Sequence, residues 1–255
     1  MASHFLSATV ITRNEAANIE RCLNSLIGVA DEIVVVDSGS DDSTVDICRR
    51  YGAKVTVRPF AGYGPQRQYA ATLASGNYVL SIDADEVLTE ELRQNLSALK
   101  EAGFTHRMYR FKVINYICGK PVRHSGLEPE VQIRLFDKRY ANWDMLDVGE
   151  RLSYPAGIMP AAIDGEMHHY RCNRYTEYEA KEMRHAAMRA RLMAAAGISA
   201  AEPMCWLRAA SAFVRCHLSQ GAWLDGEAGR RIAATRFRST LAAYRAARRI
   251  IDEEK

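Results

Sequence analysis

The 255-residue chain has no CxxC pair: Cys22, Cys48, Cys118, Cys172, Cys205 and Cys216 all stand alone. Scattered thiols exclude a zinc ribbon or a disulfide framework and fit a reducing, cytoplasmic setting. No stretch approaches the ~18 uninterrupted apolar residues of a membrane-spanning helix. The opening MASHFLSATVITRNE lacks the basic start and long apolar core of a signal peptide. These absences predict a cytoplasmic chain, attached at most to a membrane surface. Internal repeats and low-complexity tracts are missing too, so repeat architectures and disordered tails are set aside.

Net charge is small, +3, but its two signs are unevenly spread. Residues 171–251 carry 15 Lys/Arg against 6 Asp/Glu, whereas residues 1–170 carry 18 against 22. The basic residues follow no nucleic-acid-binding motif and the front half is acidic, so nucleic acid is excluded as a partner.

What is present begins with four short β-branched runs, 6–12, 32–38, 53–58 and 77–83, which read as strands buried on both faces. Helical patterns lie between and after them at 15–27, 42–52, 65–76 and 89–103. Asn14, Asp41 and Thr89 are placed to cap these helices, and Gly28, Gly52, Gly76 and Gly103 to end them. The alternation predicts an α/β fold built on a mostly parallel sheet, with ligands beyond the carboxyl ends of the strands. Residues 104–165 read as irregular apart from strands at 107–117 and 131–137. After 171 the patterns are helical. The expected division is a catalytic domain over 1–170 and a helical region over 171–255.

The stretch YVLSIDADEV puts Asp83, Asp85 and Glu86 at the end of an apolar strand. In extended backbone Asp83 and Asp85 share a face and repel unless a cation separates them, which a hard divalent ion with oxygen ligands would do. A capped turn before the next helix is the plain alternative. A phosphatase of the haloacid-dehalogenase type, with Asp83 as nucleophile, shares the DxDxV letters. That family carries the motif on its first strand and needs a later strand ending in paired aspartates, which is absent here. Gly62-Tyr63-Gly64 is no dinucleotide fingerprint either, because no strand feeds it and Pro65-Gln66 follows.

In their order, VITRNEAANIERCLNSL, EIVVVDSGSDDSTVDI, GYGPQRQYA and YVLSIDADE resemble the family 2 glycosyltransferases of GT-A fold. GKPVRHSGLEPEVQIRLF, DVGERL, MHHY and GAWLDGEAG narrow the resemblance to the branch that adds glucose to the inner-core heptose of lipopolysaccharide. The resemblance implies an inverting, metal-dependent hexosyltransferase. Its donor would be a UDP-sugar and its acceptor a lipid-linked saccharide at the inner face of the inner membrane. Transfer to another envelope glycan is the alternative. Thr12, Asn14, Glu15, Asp37, Arg67 and Asp83 would bind the nucleotide-sugar, with Arg67 as counter-charge. Asp85 and His169 would hold Mg²⁺ or Mn²⁺. Glu150, in the place of the acid of the family's Val-His-Glu segment and here in Val148-Gly149-Glu150, is the first choice of general base, and Glu130 the second.

In the last helical segment Ala233, Phe237, Leu241, Tyr244 and Ile251 form one apolar stripe, with Arg231, Arg238, Arg245 and Arg249 along a flank. That flank reads either as a contact for anionic lipid headgroups or as the solvated side of a packed helix. A non-catalytic module binding lipid through this tail alone is the third functional class.

Overall fold

The computed structural model describes residues 5–146 and 150–253. They form two compact units. The first takes the chain up to 113 together with 130–169, and the second takes 114–129 and the chain from 170 onward. Residues 114–129, expected with the catalytic part, therefore pack with the helical tail.

The first unit opens with β1 (Leu6–Thr12), α1 (Ile19–Leu26), β2 (Glu32–Asp37), α2 (Thr44–Arg50), β3 (Lys54–Val57), α3 (Tyr63–Leu73) and β4 (Tyr78–Asp83). Then come β5 (Glu86–Leu88), α4 (Glu90–Ala102) and β6 (Met108–Ile117), whose residues after 113 belong to the second unit. β7 (Lys120–Val122) falls in the second unit, and β8 (Glu130–Asp137), β9 (Asn142–Trp143), β10 (Leu152–Ser153) and β11 (Ala161–Cys172) follow. The main sheet runs β3-β2-β1-β4-β8-β6-β11-β5, and β9 and β10 make a separate pair. β3, β2, β1 and β4 are mutually parallel, whereas β8 joins β4 antiparallel.

Burial explains the central strands. Leu6, Ala8 and Val10 of β1, with Leu80 and Ile82 of β4, are fully buried against Ile19 and Leu23 of α1 and Leu92 and Leu96 of α4. The other face holds Val79, Met108, Phe136, Ala141 and Trp143. With both faces covered, alternation disappears from the sequence and only the β-branched run remains.

The helix starts differ from expectation. Asn14 is not a cap; it sits at φ 55, and α1 begins only at Ile19, after a turn in which the Asn18 amide donates to the Glu15 carbonyl. Asp42 rather than Asp41 receives the Thr44 amide at the head of α2 (2.9 Å). Thr89 caps α4 as expected, accepting from the Leu92 amide (3.3 Å). The larger difference is β11, twelve residues inside and beyond the region read as irregular. AAIDGEMHHYRC mixes polar residues, small residues and a glycine, so it carries neither a clean period of two nor an apolar run.

The second unit is built on α5 (Tyr175–Ala195), α6 (Glu202–Val214) and α7 (Gly226–Glu253), with a π-turn (Arg215–Ser219) and a 3₁₀ turn (Ala222–Asp225) before α7. Ile232 and Ala233 of α7 are buried with Tyr178, Cys216, Ile117 and Val122, and Leu241 with Cys205 and Ala209. The arginine flank of α7 is largely engaged within the unit. Arg231 bonds Glu227 (3.1 Å), Arg238 bonds Glu179 (2.6 Å), and Arg245 bonds Glu202. The packed-helix reading thus accounts for three of the four arginines. No helix among the described residues is long and apolar enough to cross a membrane.

Candidate active site

The parallel register brings the expected donor-site residues to one end of the sheet. Thr12 lies beside Asp37, and Ile11 beside Asp83. Asp37 is buried, and it shapes the turn that follows: it accepts from the amides of Gly39 (2.9 Å) and Ser40 (2.8 Å) and from the Ser40 hydroxyl. Asn14 joins the same turn, donating its amide to Ser40 Oγ (2.8 Å) and accepting from the Asp41 amide (2.9 Å). Glu15 donates its amide to Thr44 Oγ1 (2.8 Å) and accepts from Asn18 (2.6 Å). The buried Thr12 hydroxyl has no hydrogen-bond partner among the described residues.

β4 ends at Asp83, Ala84 and Asp85 form a turn, and β5 starts at Glu86. The three carboxylates meet a set of cationic and imidazole partners. Asp83 takes Nη2 of Arg67 at 2.7 Å, and Asp85 Oδ2 lies 3.2 Å from Nε2 of His169 on β11. The fully buried Glu86 accepts from Nη2 of Arg134 (2.6 Å) and, on its other oxygen, from the Asp83 amide (2.7 Å). Arg134 also lies 3.8 Å from Asp83, so the guanidinium groups of Arg67 and Arg134 together offset the repulsion between Asp83 and Glu86.

Arg67 is the hub. Its side chain is only 4% exposed, and its Nε donates to Glu150 Oε1 at 3.0 Å while Nη2 serves Asp83. Trp143 stacks near its Cζ at 5.1 Å. Nη1 is buried with no acceptor among the described residues. The expected counter-charge for a nucleotide is thus shared between two carboxylates, with one donor to spare. Burial opposes the charge on Arg67, but Asp83, Glu86 and Glu150 outweigh it and hold the guanidinium protonated. Burial likewise pushes the Asp83 carboxyl up, and Arg67 and Arg134 together bring it well below the usual range. At Glu86 burial wins, and its pKa is raised despite Arg134.

These side chains line an open cleft of about 530 Å³, with Arg67, Asp83, Arg134, Trp143, Glu150 and Tyr154 on its walls. Glu130 is outside it. It is exposed at the head of β8 and bonded to Gln132 (2.8 Å), whose own oxygen accepts from Arg134 Nε (2.9 Å). Of the two candidate bases, the cleft contains Glu150. Its neighbours Val148 and Gly149 lie outside the described residues. Gly64 lets a neighbouring segment come close. A Cβ there would come within 2.2 Å of the Asp144 carbonyl, and its amide donates to the Leu146 carbonyl (3.0 Å). The glycine admits the segment leading to Glu150.

Sequence reasoning missed Arg134, Trp143 and Gln132. A lone arginine in the apolar run VQIRLF was the one signal available, since a buried guanidinium needs a carboxylate.

A sheet whose parallel half collects acids and an arginine at its carboxyl ends, followed by an antiparallel half and a helical tail, is the GT-A arrangement. Residues 7–163 match the profile of Glycosyl transferase family 2, and the chain belongs to that family. Among its relatives, the lipopolysaccharide core biosynthesis glycosyltransferase LpsC of Rhizobium meliloti is 30% identical over 72% of this chain and 70% of that protein. An uncharacterized glycosyltransferase of Rickettsia bellii is 50% identical over 36% of this chain, and the match spans only 31% of that relative's length. Among solved structures, glucosyl-3-phosphoglycerate synthase of Mycobacterium tuberculosis, in complex with Mn²⁺, UDP and its glucosylated product, is 26% identical. It covers 45% of this chain and 44% of that one with a TM-score of 0.35.

The sequence resemblance implies a divalent cation, for which two donor side chains lie together. Asp85 and His169 offer one carboxylate oxygen and one imidazole nitrogen side by side, and no third His, Cys, Asp or Glu joins them among the described residues. A two-donor set leaves most positions to the oxygens of a bound diphosphate, as Mg²⁺ and Mn²⁺ sites commonly do.

Proposed function

We propose that this chain transfers a hexose, glucose from UDP-glucose, onto a sugar of the lipopolysaccharide core with inversion at the anomeric carbon. The observation that carries the reading is the Asp83–Arg67–Glu150 array on the wall of the cleft, beside the Asp85–His169 pair. The likeness to LpsC supports the acceptor class. Within the array each residue has a distinct task. Glu150, ion-paired to Arg67, accepts the proton of the attacking acceptor hydroxyl. Arg67 positions that carboxylate and Asp83 together, and its spare Nη1 donor is available to a donor-sugar or phosphate oxygen. Asp83 accepts from ribose or sugar hydroxyls, and the unpartnered Thr12 hydroxyl with the Asp37 turn receives the nucleoside. A cation held by Asp85 and His169 would offset the charge of the departing diphosphate.

Incubation with UDP-glucose, Mn²⁺ and de-acylated core oligosaccharide tests the reading. The expected product carries one added hexose in β linkage. Turnover of UDP-glucose with a different envelope glycan, and none with the core, would move the acceptor elsewhere. Hydrolysis of simple phosphate esters that depends on Asp83 would return the phosphatase alternative.

A further inference from the structure

Helix α6 is apolar on both faces. Cys205, Ala209 and Ala212 lie buried on its inner side, with Cys216 of the π-turn. At ~100° per residue Leu207 and Val214 point to the opposite pole, and Leu218 follows them along the π-turn. They are 61%, 50% and 64% exposed, and Trp223 just beyond is 58% exposed. A helix that is hydrophobic all round belongs in an interior, and a run of exposed apolar side chains marks a surface that something covers.

Charge identifies the covering surface. Within Glu202–Ser219 the only Lys or Arg residues are Arg208 and Arg215, both exposed, and helical geometry sets them along one edge of the apolar ridge. The single acid of that segment, Glu202, is turned to Arg245 and Trp206. A second copy seated on the same ridge would add two more arginines to this face, with no free acid in Glu202–Ser219 of either copy to receive them. A bilayer with anionic headgroups accepts both features. Leucine and tryptophan enter the acyl boundary while the arginine heads remain among the phosphates.

We infer that the outer face of α6 and the turns that follow it dock this chain onto an anionic lipid bilayer. The surface is distinct from the arginine flank of α7, whose charges are mostly engaged by Glu179, Glu202 and Glu227. It does not depend on the reading of the active site. The test is co-sedimentation of the full chain with vesicles of phosphatidylcholine alone, or of phosphatidylcholine with phosphatidylglycerol, neither containing a saccharide lipid. Binding is expected to the mixed vesicles only, to weaken with salt, and to fall about tenfold in Leu207→Glu/Leu218→Glu. The exposed pair Arg208→Gln/Arg215→Gln should lose several-fold through charge alone. An unchanged circular dichroism spectrum in each variant confirms that the fold survives. Undiminished binding by both double variants overturns the inference. So does equal binding to the two vesicle types, or a dimer in sedimentation that Leu207→Glu dissolves.

Discussion

Arg67 has 4% of its side chain exposed and two carboxylates against it, so neither acid can lose it cheaply. Arg67→Met should therefore destabilise the fold by about 3–5 kcal/mol, since it leaves Glu150 without its guanidinium and Asp83 with Arg134 alone at 3.8 Å. Urea unfolding measures this, and a loss under 1 kcal/mol would show the array to be loosely held. Glu150→Gln is close in shape and should keep UDP affinity while transfer falls about 10²–10⁴-fold, the usual worth of a positioned base. Glu130→Gln should leave the rate within about threefold, because the residue lies outside the cleft; a larger loss there would reverse the assignment. At this scale the residues that resemblance named were legible, and their partners were not. Arg67 and Glu150 are 83 positions apart, and Glu86 and Arg134 are 48 apart. Pairings at that separation are made by strand order, which no local pattern encodes.

Among the elements, β2 shows how one side chain ties a sheet edge together. Glu32 accepts from Lys54 Nζ (2.7 Å) on β3, from Ser7 on β1, and from Ser75 after α3. Burial opposes its ionised form, but the bonds from Lys54, Ser7 and Ser75 prevail and lower its pKa to about 2. A depressed folded-state pKa contributes stability that is complete above the unfolded value near 4.5 and is lost as the pH falls towards 2. Glu32→Gln should cost on the order of 2 kcal/mol at neutral pH and flatten the acid limb of the stability curve between those values. Thermal denaturation from pH 7 down to pH 2 checks it, and parallel curves for the two proteins would contradict the assignment. At Gly64 a methyl group meets carbonyls 144 and 146, so Gly64→Ala should destabilise by about 1–3 kcal/mol and slow transfer through Glu150. The strands buried on both faces were legible because their β-branched runs have hardly any other home. β11 was not, because its residues are chosen for the site and for neighbouring strands rather than for an apolar period. The turn at Ala84-Asp85 was legible as the plain alternative reading of the acidic cluster.

For the molecule as a whole, the helical patterns after 171 set the expected division at residue 170, whereas the second compact unit also takes residues 114–129 from the middle of the chain. The arginine flank of α7 read either as a lipid contact or as the solvated side of a packed helix, and Arg231, Arg238 and Arg245 are paired with glutamates. Catalysis in this account rests on donor binding at the carboxyl ends of β1, β2 and β4, with Asp85 and His169 supplying the cation site. Calorimetric titration of UDP into the wild-type chain and into Asp85→Ala, each with and without Mn²⁺, addresses that claim without any knowledge of the acceptor. The account predicts that Mn²⁺ strengthens UDP binding at least about tenfold in the wild type and that Asp85→Ala loses this gain while retaining the weaker metal-free binding. Equal affinity with and without the metal, or a gain that survives in Asp85→Ala, would contradict it.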